Sequence, residues 1–172
     1  YKKAIEHFEK WKDALLNISG EKTTIEVAES LVALGDAYQK QGMYLESMKC
    51  LEKALEVQLK ELGEEDATVA DTYAKMGWTC SGDGKYDKAM EYHQKGLSIR
   101  LKVHGGEDHV DVGDSHNALG DIYDNQGKYE EALKHYEISL RIDIEAYGTE
   151  STSAATTYNN MAIVYMKQGK YD

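Results

Sequence analysis

Proline is absent from the 172 residues, and its absence favours uninterrupted helices because proline breaks a helix interior. The two cysteines, Cys50 and Cys80, are too few for a disulfide framework, and we expect buried, reduced thiols in a cytoplasmic compartment. No apolar run is long enough to span a membrane. Basic residues are scarce, at 20 Lys and Arg against 31 Asp and Glu, so the net charge of −11 argues against nucleic acid or membrane as a partner.

Tyrosine, by contrast, occurs 13 times, and several tyrosines recur at a fixed interval. The periodic set is Tyr1, Tyr44, Tyr86, Tyr129 and Tyr171, at spacings of 43, 42, 43 and 42 residues. Phrases such as QGKYEEA and DGKYDKA surround these tyrosines, and small residues recur nine positions before them, at Gly35, Gly77, Gly120 and Ala162. A period of about 42 residues predicts a repeated structural unit.

Each unit contains two stretches with apolar residues at helical spacing, joined by glycine-containing turns. The predicted buried faces of the first helices are Val27, Leu31, Leu34, Gly35 and Tyr38; Val69, Tyr73, Met76, Gly77 and Cys80; Val112, His116, Leu119, Gly120 and Tyr123; and Ala154, Tyr158, Met161, Ala162 and Tyr165. We expect Gly63, Gly105 and Gly148 to end the second helices. Asp66, Asp108 and Ser151 are predicted N-caps of the following helices.

The residues that carry this pattern resemble the tetratricopeptide repeat, whose signature L-G-x-x-Y occurs as LGDAY at 34–38 and LGDIY at 119–123. The period, the phrase TYNNMAIVYMKQGKY and the connection GGEDHVDV are similar to the 42-residue variant found in kinesin light chains. The resemblance covers the whole chain. It departs from the family pattern in lacking the proline that usually closes the second helix, so we expect longer second helices.

The resemblance implies an all-α fold, a right-handed α-solenoid of about eight helices in stacked antiparallel pairs. We expect one array over residues 1–172, with units at about 1–42, 43–84, 85–127 and 128–170, cut from a longer repeat protein. Such units bury their apolar faces only against neighbours. Phe8 and Trp11 at one end, and Met161 and Tyr165 at the other, are therefore expected to be exposed and to favour end-to-end self-association.

A second stripe on the first helices lies opposite the predicted buried face. Its acidic members include Glu29, Asp71 and Asp114 at equivalent positions, and Asp36 and Asp121 at another. Trp78 and Ile163 occupy the position of Asp36 in the other two units, and Trp78 is either an anchor for an apolar ligand side chain or a residue packed between units. A row of carboxylates predicts a basic ligand, although a generally acidic surface would show the same residues.

The resemblance places this stripe in a concave groove where peptides or partner helices bind. It also implies that Asn159 and Asn160, with Asn117, hold a peptide backbone through amide hydrogen bonds. A clamp for a C-terminal carboxylate is not expected, because Lys75 is the one basic residue among the equivalents Val32, Asp36, Lys75 and Ala118. The acidic groove also argues against acidic peptides as ligands.

These patterns predict a non-catalytic scaffold or adaptor that binds a protein or peptide, with no cofactor. The alternatives are an architectural spacer and a regulatory repeat segment of a larger multidomain protein. The densest group of metal-ligand residue types is His104, Asp108, His109, Asp111 and His116, but these residues straddle a turn and a helix start. We therefore predict neither a metal site nor a catalytic site.

Overall fold

The computed structural model describes residues 2–18 and 24–169, and these residues form eight α-helices and no strand. The helices are α1 (Lys2–Ile18), α2 (Ile25–Gln39), α3 (Tyr44–Glu61), α4 (Ala67–Gly82), α5 (Tyr86–His104), α6 (Val110–Asn125), α7 (Tyr129–Tyr147) and α8 (Thr152–Lys167). Each predicted unit contains two of them. The predicted all-α fold of helix pairs is confirmed. Tyr1 and Tyr171, which begin and end the periodic series, lie outside the described residues.

The chain divides into two compact units, Tyr1–Tyr92 and His93–Asp172. In the first unit, α2 packs against α1 and α3, and Val27, Ala28, Leu31, Ala54 and Val57 form a core cluster. In the second unit, α7 packs against α6 and α8, and Ala132, Leu133, Tyr136 and Val164 form the corresponding cluster. Burying one such large apolar side chain stabilises the fold by about 1.5–3 kcal/mol.

Glycine in the repeated QGKY phrase reverses the chain between the two helices of a pair. Gly127 has φ of 72°, a left-handed conformation that costs glycine little. Its amide donates to the Asp124 carbonyl at 2.9 Å, and the Lys128 amide donates to the Tyr123 carbonyl at 2.9 Å. These bonds satisfy carbonyls at the end of α6 and turn the chain into α7.

Gly120, one of the periodic small residues, lets α6 and α7 approach closely. A Cβ atom at this position would lie 2.6 Å from the nearest ring carbon of Tyr136. Tyr136 is only 1% exposed, so its ring has little room to move away. The small residue recorded in the sequence pattern is therefore a packing requirement of the helix pair.

The helix starts agree with two of the three predicted N-caps. Asp66 accepts from the Thr68 amide at 2.8 Å, and Ser151 accepts from the Ala154 amide at 3.2 Å. The prediction of Asp108 is wrong, because α6 starts one residue later and His109 is its N-cap, accepting from the Asp111 amide through Nδ1 at 3.2 Å. Asp108 instead accepts a hydrogen bond from Arg141 at 2.9 Å.

One predicted buried face is only partly buried. In α8, Ala154 is buried, but Tyr158 is 49% exposed and Tyr165 is 38% exposed. The equivalent face of α6 is covered by α7, whereas no helix among the described residues packs on this side of α8. Of the two thiols, Cys80 is buried, Cys50 is half-buried, and neither forms a disulfide. None of the described helices combines the length and apolar character needed to cross a membrane.

Candidate functional site

The predicted stripe of the first unit lines a concavity of about 260 Å³ between α2 and α4. Its lining residues are Glu29, Val32, Ala33 and Asp36 from α2, Thr68, Asp71, Thr72 and Lys75 from α4, and Gln58 from α3. The concavity therefore brings together the four charged groove residues that were predicted for this stretch. This volume is below the roughly 300 Å³ at which small-ligand pockets start, so the concavity suits a single ligand side chain rather than a whole small molecule.

The charges in this concavity are unequal in number. Glu29, Asp36 and Asp71 carry carboxylates, and Lys75 is the one cation among the lining residues. The Lys75 ammonium forms an ion pair with Asp36, and both side chains are about one-third exposed. Glu29 and Asp71 are exposed on the facing helices. The surface consequently presents an excess of negative charge to a ligand.

The second unit has a corresponding link between α6 and α8, but with different chemistry. Asp121 and Asn160 are equivalent to Asp36 and Lys75, each being 85 residues further along the chain. The Asn160 side-chain amide donates to Asn117 Oδ1 at 3.2 Å and to Asp121 Oδ1 at 3.4 Å. A hydrogen-bonded amide thus replaces the ion pair of the first unit.

Asp121 is held mainly by a buried tyrosine. The Tyr136 hydroxyl donates to Asp121 Oδ1 at 2.7 Å. Burial raises the pKa of the Asp121 carboxyl, the bond from Tyr136 opposes this effect, and the nearby Asp124 charge adds to it. Burial and the same carboxylate also raise the pKa of Tyr136. Asp121 therefore serves as an internal link between helices as well as a candidate groove residue.

The other predicted groove residues lie at the surface of their helices. Asp114 is exposed on α6, and Asn159 is exposed on α8. Trp78 on α4 is 38% exposed and Ile163 on α8 is 41% exposed, so both side chains are accessible. Trp78 is not among the residues that line the concavity between α2 and α4.

A set of buried hydroxyls on the first helices was missed in the sequence. Ser30, Thr72, Ser115 and Thr157 occupy equivalent positions on the first helices and are all buried. Thr72 donates to Gln58 at 2.7 Å, Arg100 donates to Ser115 at 2.9 Å, and Thr157 donates to Asp143 at 3.2 Å. The sequence has serine or threonine at this one position in all four repeats, which was a detectable signal. Periodicity could not predict the three different hydrogen-bond partners.

The structure separates the predicted histidine and aspartate group into three sets. His104, His109 and Asp111 converge at the connection between α5 and α6. His116 pairs with His135 of α7 through their Nδ1 atoms at 2.8 Å, and Asp108 pairs with Arg141. The first set comes together across the turn because the connection folds His109 back against His104.

The sequence model of the tetratricopeptide repeat matches residues 26–102 and 111–172. The chain belongs to the tetratricopeptide repeat family. The resemblance inferred from LGDAY and LGDIY is thereby confirmed. Tetratricopeptide repeats generally form a non-catalytic interaction fold that implies protein partners.

Solved structures of other proteins superpose on nearly the whole chain. A putative kinesin light chain from Podosopora anserina with nearly identical tetratricopeptide-like repeats superposes with a TM-score of 0.78 at 21% identity, covering 99% of this chain and 80% of that one. A Rap protein complexed with Competence and Sporulation Factor superposes with a TM-score of 0.77 at 20% identity, covering 99% of this chain and 46% of that one. At these identities the likeness shows the tetratricopeptide fold alone.

One curated relative matches part of the repeat array. Protein NASP homolog 1 of Caenorhabditis elegans is 31% identical over 81 residues, which is 47% of this chain and 21% of the relative. The chain therefore spans about a fifth of that protein's length.

Proposed function

We propose that this chain is a non-catalytic interaction segment that binds an extended peptide or partner helix with basic side chains. The observation that carries the proposal is the concavity between α2 and α4, where Glu29, Asp36 and Asp71 outnumber Lys75. A ligand Arg or Lys near Glu29 and Asp71 gains charge-assisted hydrogen bonds. The same charges speed the approach of a basic partner at low ionic strength.

In this proposal, the side-chain amides of the second unit contact the backbone of the bound peptide. The Asn160 bonds to Asn117 and Asp121 use Asn160 Nδ2 and Asn117 Oδ1. The other amide atoms of the pair are a donor, Asn117 Nδ2 on α6, and an acceptor, Asn160 Oδ1 on α8. A peptide backbone needs one acceptor and one donor per residue, so this pair suits a main-chain contact. The Rap protein complex is a precedent for a partner-bound structure in this fold.

The test is a fluorescence-anisotropy titration of labelled basic, acidic and neutral-apolar peptides, at low and at physiological salt. The informative variant is Glu29→Lys/Asp71→Lys, because both side chains are exposed. Charge reversal at Asp36 or Asp121 is less informative, because it also breaks a contact within the chain. Asp36 is paired with Lys75, and Asp121 accepts a hydrogen bond from Tyr136. The matched control is Glu56→Lys/Glu61→Lys, which makes the same charge change at exposed positions of α3.

We expect basic peptides to bind, and to bind more weakly at physiological salt. Two reversed surface contacts, at up to about 1 kcal/mol each, predict a roughly tenfold loss of affinity in the groove variant. The control variant should bind within about twofold of the parent chain. Equal losses in both variants would assign the effect to net charge, and selective binding of acidic peptides would overturn the proposal.

We also propose that the exposed face of α8 binds α1 of a second copy. Tyr158 and Tyr165 are equivalent to His116 and Tyr123, which contact His135 of α7. Helix α1 shares the register of α7 in the repeat, and its Trp11 is 41% exposed. Light scattering over a dilution series should show association that Tyr158→Glu abolishes. A monomer at every concentration would refute this contact.

A further inference from the structure

Three side chains with metal-binding atoms meet where α5 is connected to α6. His104 is the last residue of α5, His109 is the N-cap of α6, and Asp111 lies in the first turn of α6. One ligand atom from each lies within 4.8 Å of the other two, the one such group of three found among the described residues. This group is separate from the groove residues of the proposed function.

Two of the three separations between these atoms lie at or just below those of a tetrahedral metal site. Asp111 Oδ2 lies 2.9 Å from His104 Nε2 and 3.4 Å from His109 Nδ1. Zinc bonds of about 2.0–2.2 Å at tetrahedral angles separate neighbouring ligand atoms by roughly 3.3–3.6 Å. We propose that His104, His109 and Asp111 bind a divalent transition-metal ion of borderline softness, with Zn²⁺ as the expected ion.

One histidine ring must turn for the ion to bind. The two rings are stacked with centroids 3.4 Å apart and an angle of 5° between their planes, so their lone pairs lie in nearly parallel planes and do not converge on one ion. The His109 side chain is 43% exposed and has room to rotate, whereas that of His104 is 19% exposed and more fixed. Binding at His109 Nδ1 uses the lone pair that accepts from the Asp111 amide, so this hydrogen bond is lost when the ion binds.

Nearby charges limit the affinity of the site. The Arg100 guanidinium donates to the Asp111 carbonyl at 2.9 Å, and the N-terminus of α6 carries a partial positive charge. Both disfavour a cation, while the Asp111 carboxylate and two neutral imidazoles favour it. Three ligands also leave a fourth position for water, as in open zinc sites. We therefore expect binding that is weaker than in a closed four-ligand zinc site and that fixes the α5–α6 connection.

The test uses the full chain without an affinity tag, in buffer stripped with a chelating resin. Calorimetry with ZnCl2 measures affinity, and the visible absorption spectrum with CoCl2 reports coordination geometry. The variants are His104→Gln, His109→Asn and Asp111→Asn. Asparagine is itself a good N-cap, so His109→Asn removes the ligand without removing the cap. His7→Gln on the exposed face of α1 is the matched control.

We expect each of the three variants to weaken Zn²⁺ binding at least about tenfold, with unchanged helical content by circular dichroism. The cobalt complex should show the intense visible bands of tetrahedral coordination and lose them in each variant. The control should bind like the parent chain. Absence of binding heat and of a cobalt spectrum would overturn the proposal. So would an equal loss in His7→Gln, which would indicate adventitious binding to surface histidines.

Discussion

The hydrogen bond from Tyr136 to Asp121 gives a prediction that connects the core with the groove. In Tyr136→Phe, the ring still fills the space beside Gly120, but the Asp121 carboxylate loses a donor at 2.7 Å. Hydrogen bonds to charged groups contribute about 1.5–3 kcal/mol. Tyr136 is 1% exposed, so water cannot readily replace its hydroxyl at the same place. We therefore expect a loss of about 1.5–3 kcal/mol in the free energy of unfolding at neutral pH.

The loss should depend on pH with a defined sign. Burial has already raised the folded-state pKa of Asp121 above its unfolded value, so Asp121 lowers stability at neutral pH and this cost disappears as pH falls. Removing the Tyr136 hydroxyl raises the pKa of Asp121 further, because its hydrogen bond favours the ionised carboxylate. The difference between variant and parent chain should therefore shrink to about 0.5–1.5 kcal/mol once Asp121 is protonated.

Urea denaturation followed by circular dichroism measures this difference, and hydrogen–deuterium exchange of α6 and α7 assigns it to the second unit. Both chains are compared near neutral pH and near pH 4. Asp121→Asn and the double variant complete a mutant cycle. A difference that is independent of pH, or a coupling energy near zero between the two positions, would refute the assignment of Tyr136 as the donor that holds Asp121.

Two further predictions concern the packing between α6 and α7. Gly120→Ala should destabilise the chain by up to about 2 kcal/mol, since overpacking costs about 1–3 kcal/mol and the gain in helix propensity offsets about 1 kcal/mol. Urea denaturation measures this loss. Gly113→Ala, where the atom nearest to the added Cβ is 3.2 Å away, should be close to neutral. Burial, followed by the charges of His135 and Arg141, lowers the pKa of His116 to about 4. Protonation of His116 therefore destabilises the folded chain, and the free energy of unfolding should decline as the pH falls from about 6.5 toward 4. The double variant His116→Tyr/His135→Tyr copies the stacked Tyr73–Tyr92 pair, which occupies the equivalent positions in the preceding repeat. If its thermal melt is still as acid-sensitive as that of the parent chain, the acid sensitivity does not come from His116.

The fold could be predicted from the sequence because its determinants are local and repeated. The glycine two residues before each periodic tyrosine sets a left-handed turn at Gly42, Gly84 and Gly127. The apolar spacing sets the buried faces of α2, α4 and α6. Each of these signals occurs within a few residues and is repeated at each unit. The family signature adds the packing order of neighbouring helices. Agreement between these levels explains why helix positions were predicted within a residue or two.

The side-chain partners could not be predicted in the same way, because they are about 15 to 40 residues apart and differ between units. Periodicity places Asp36 and Asp121 at the same position, but it does not say that one meets Lys75 and the other meets Tyr136. It also places Gln58, Arg100 and Asp143 at one position, where an amide, a guanidinium and a carboxylate each meet a hydroxyl. His109 was missed as an N-cap because histidine caps only when its unprotonated nitrogen faces the helix.

The differences between equivalent positions predict different ligand contacts for the two units under the proposed function. The backbone positions that carry Asp36 and Lys75 in the first unit carry Asp121 and Asn160 in the second. In the first unit, Lys75 pairs with Asp36, and Glu29 and Asp71 are exposed carboxylates that line the same concavity. In the second unit, a tyrosine hydroxyl and an amide hold the Asp121 carboxylate, and the remaining amide atoms of Asn117 and Asn160 are neutral.

A partner that uses both surfaces therefore needs basic side chains opposite the first unit and an accessible backbone opposite the second. This division predicts that salt weakens binding through contacts with the first unit, while Asn160→Ala reduces affinity equally at low and high salt.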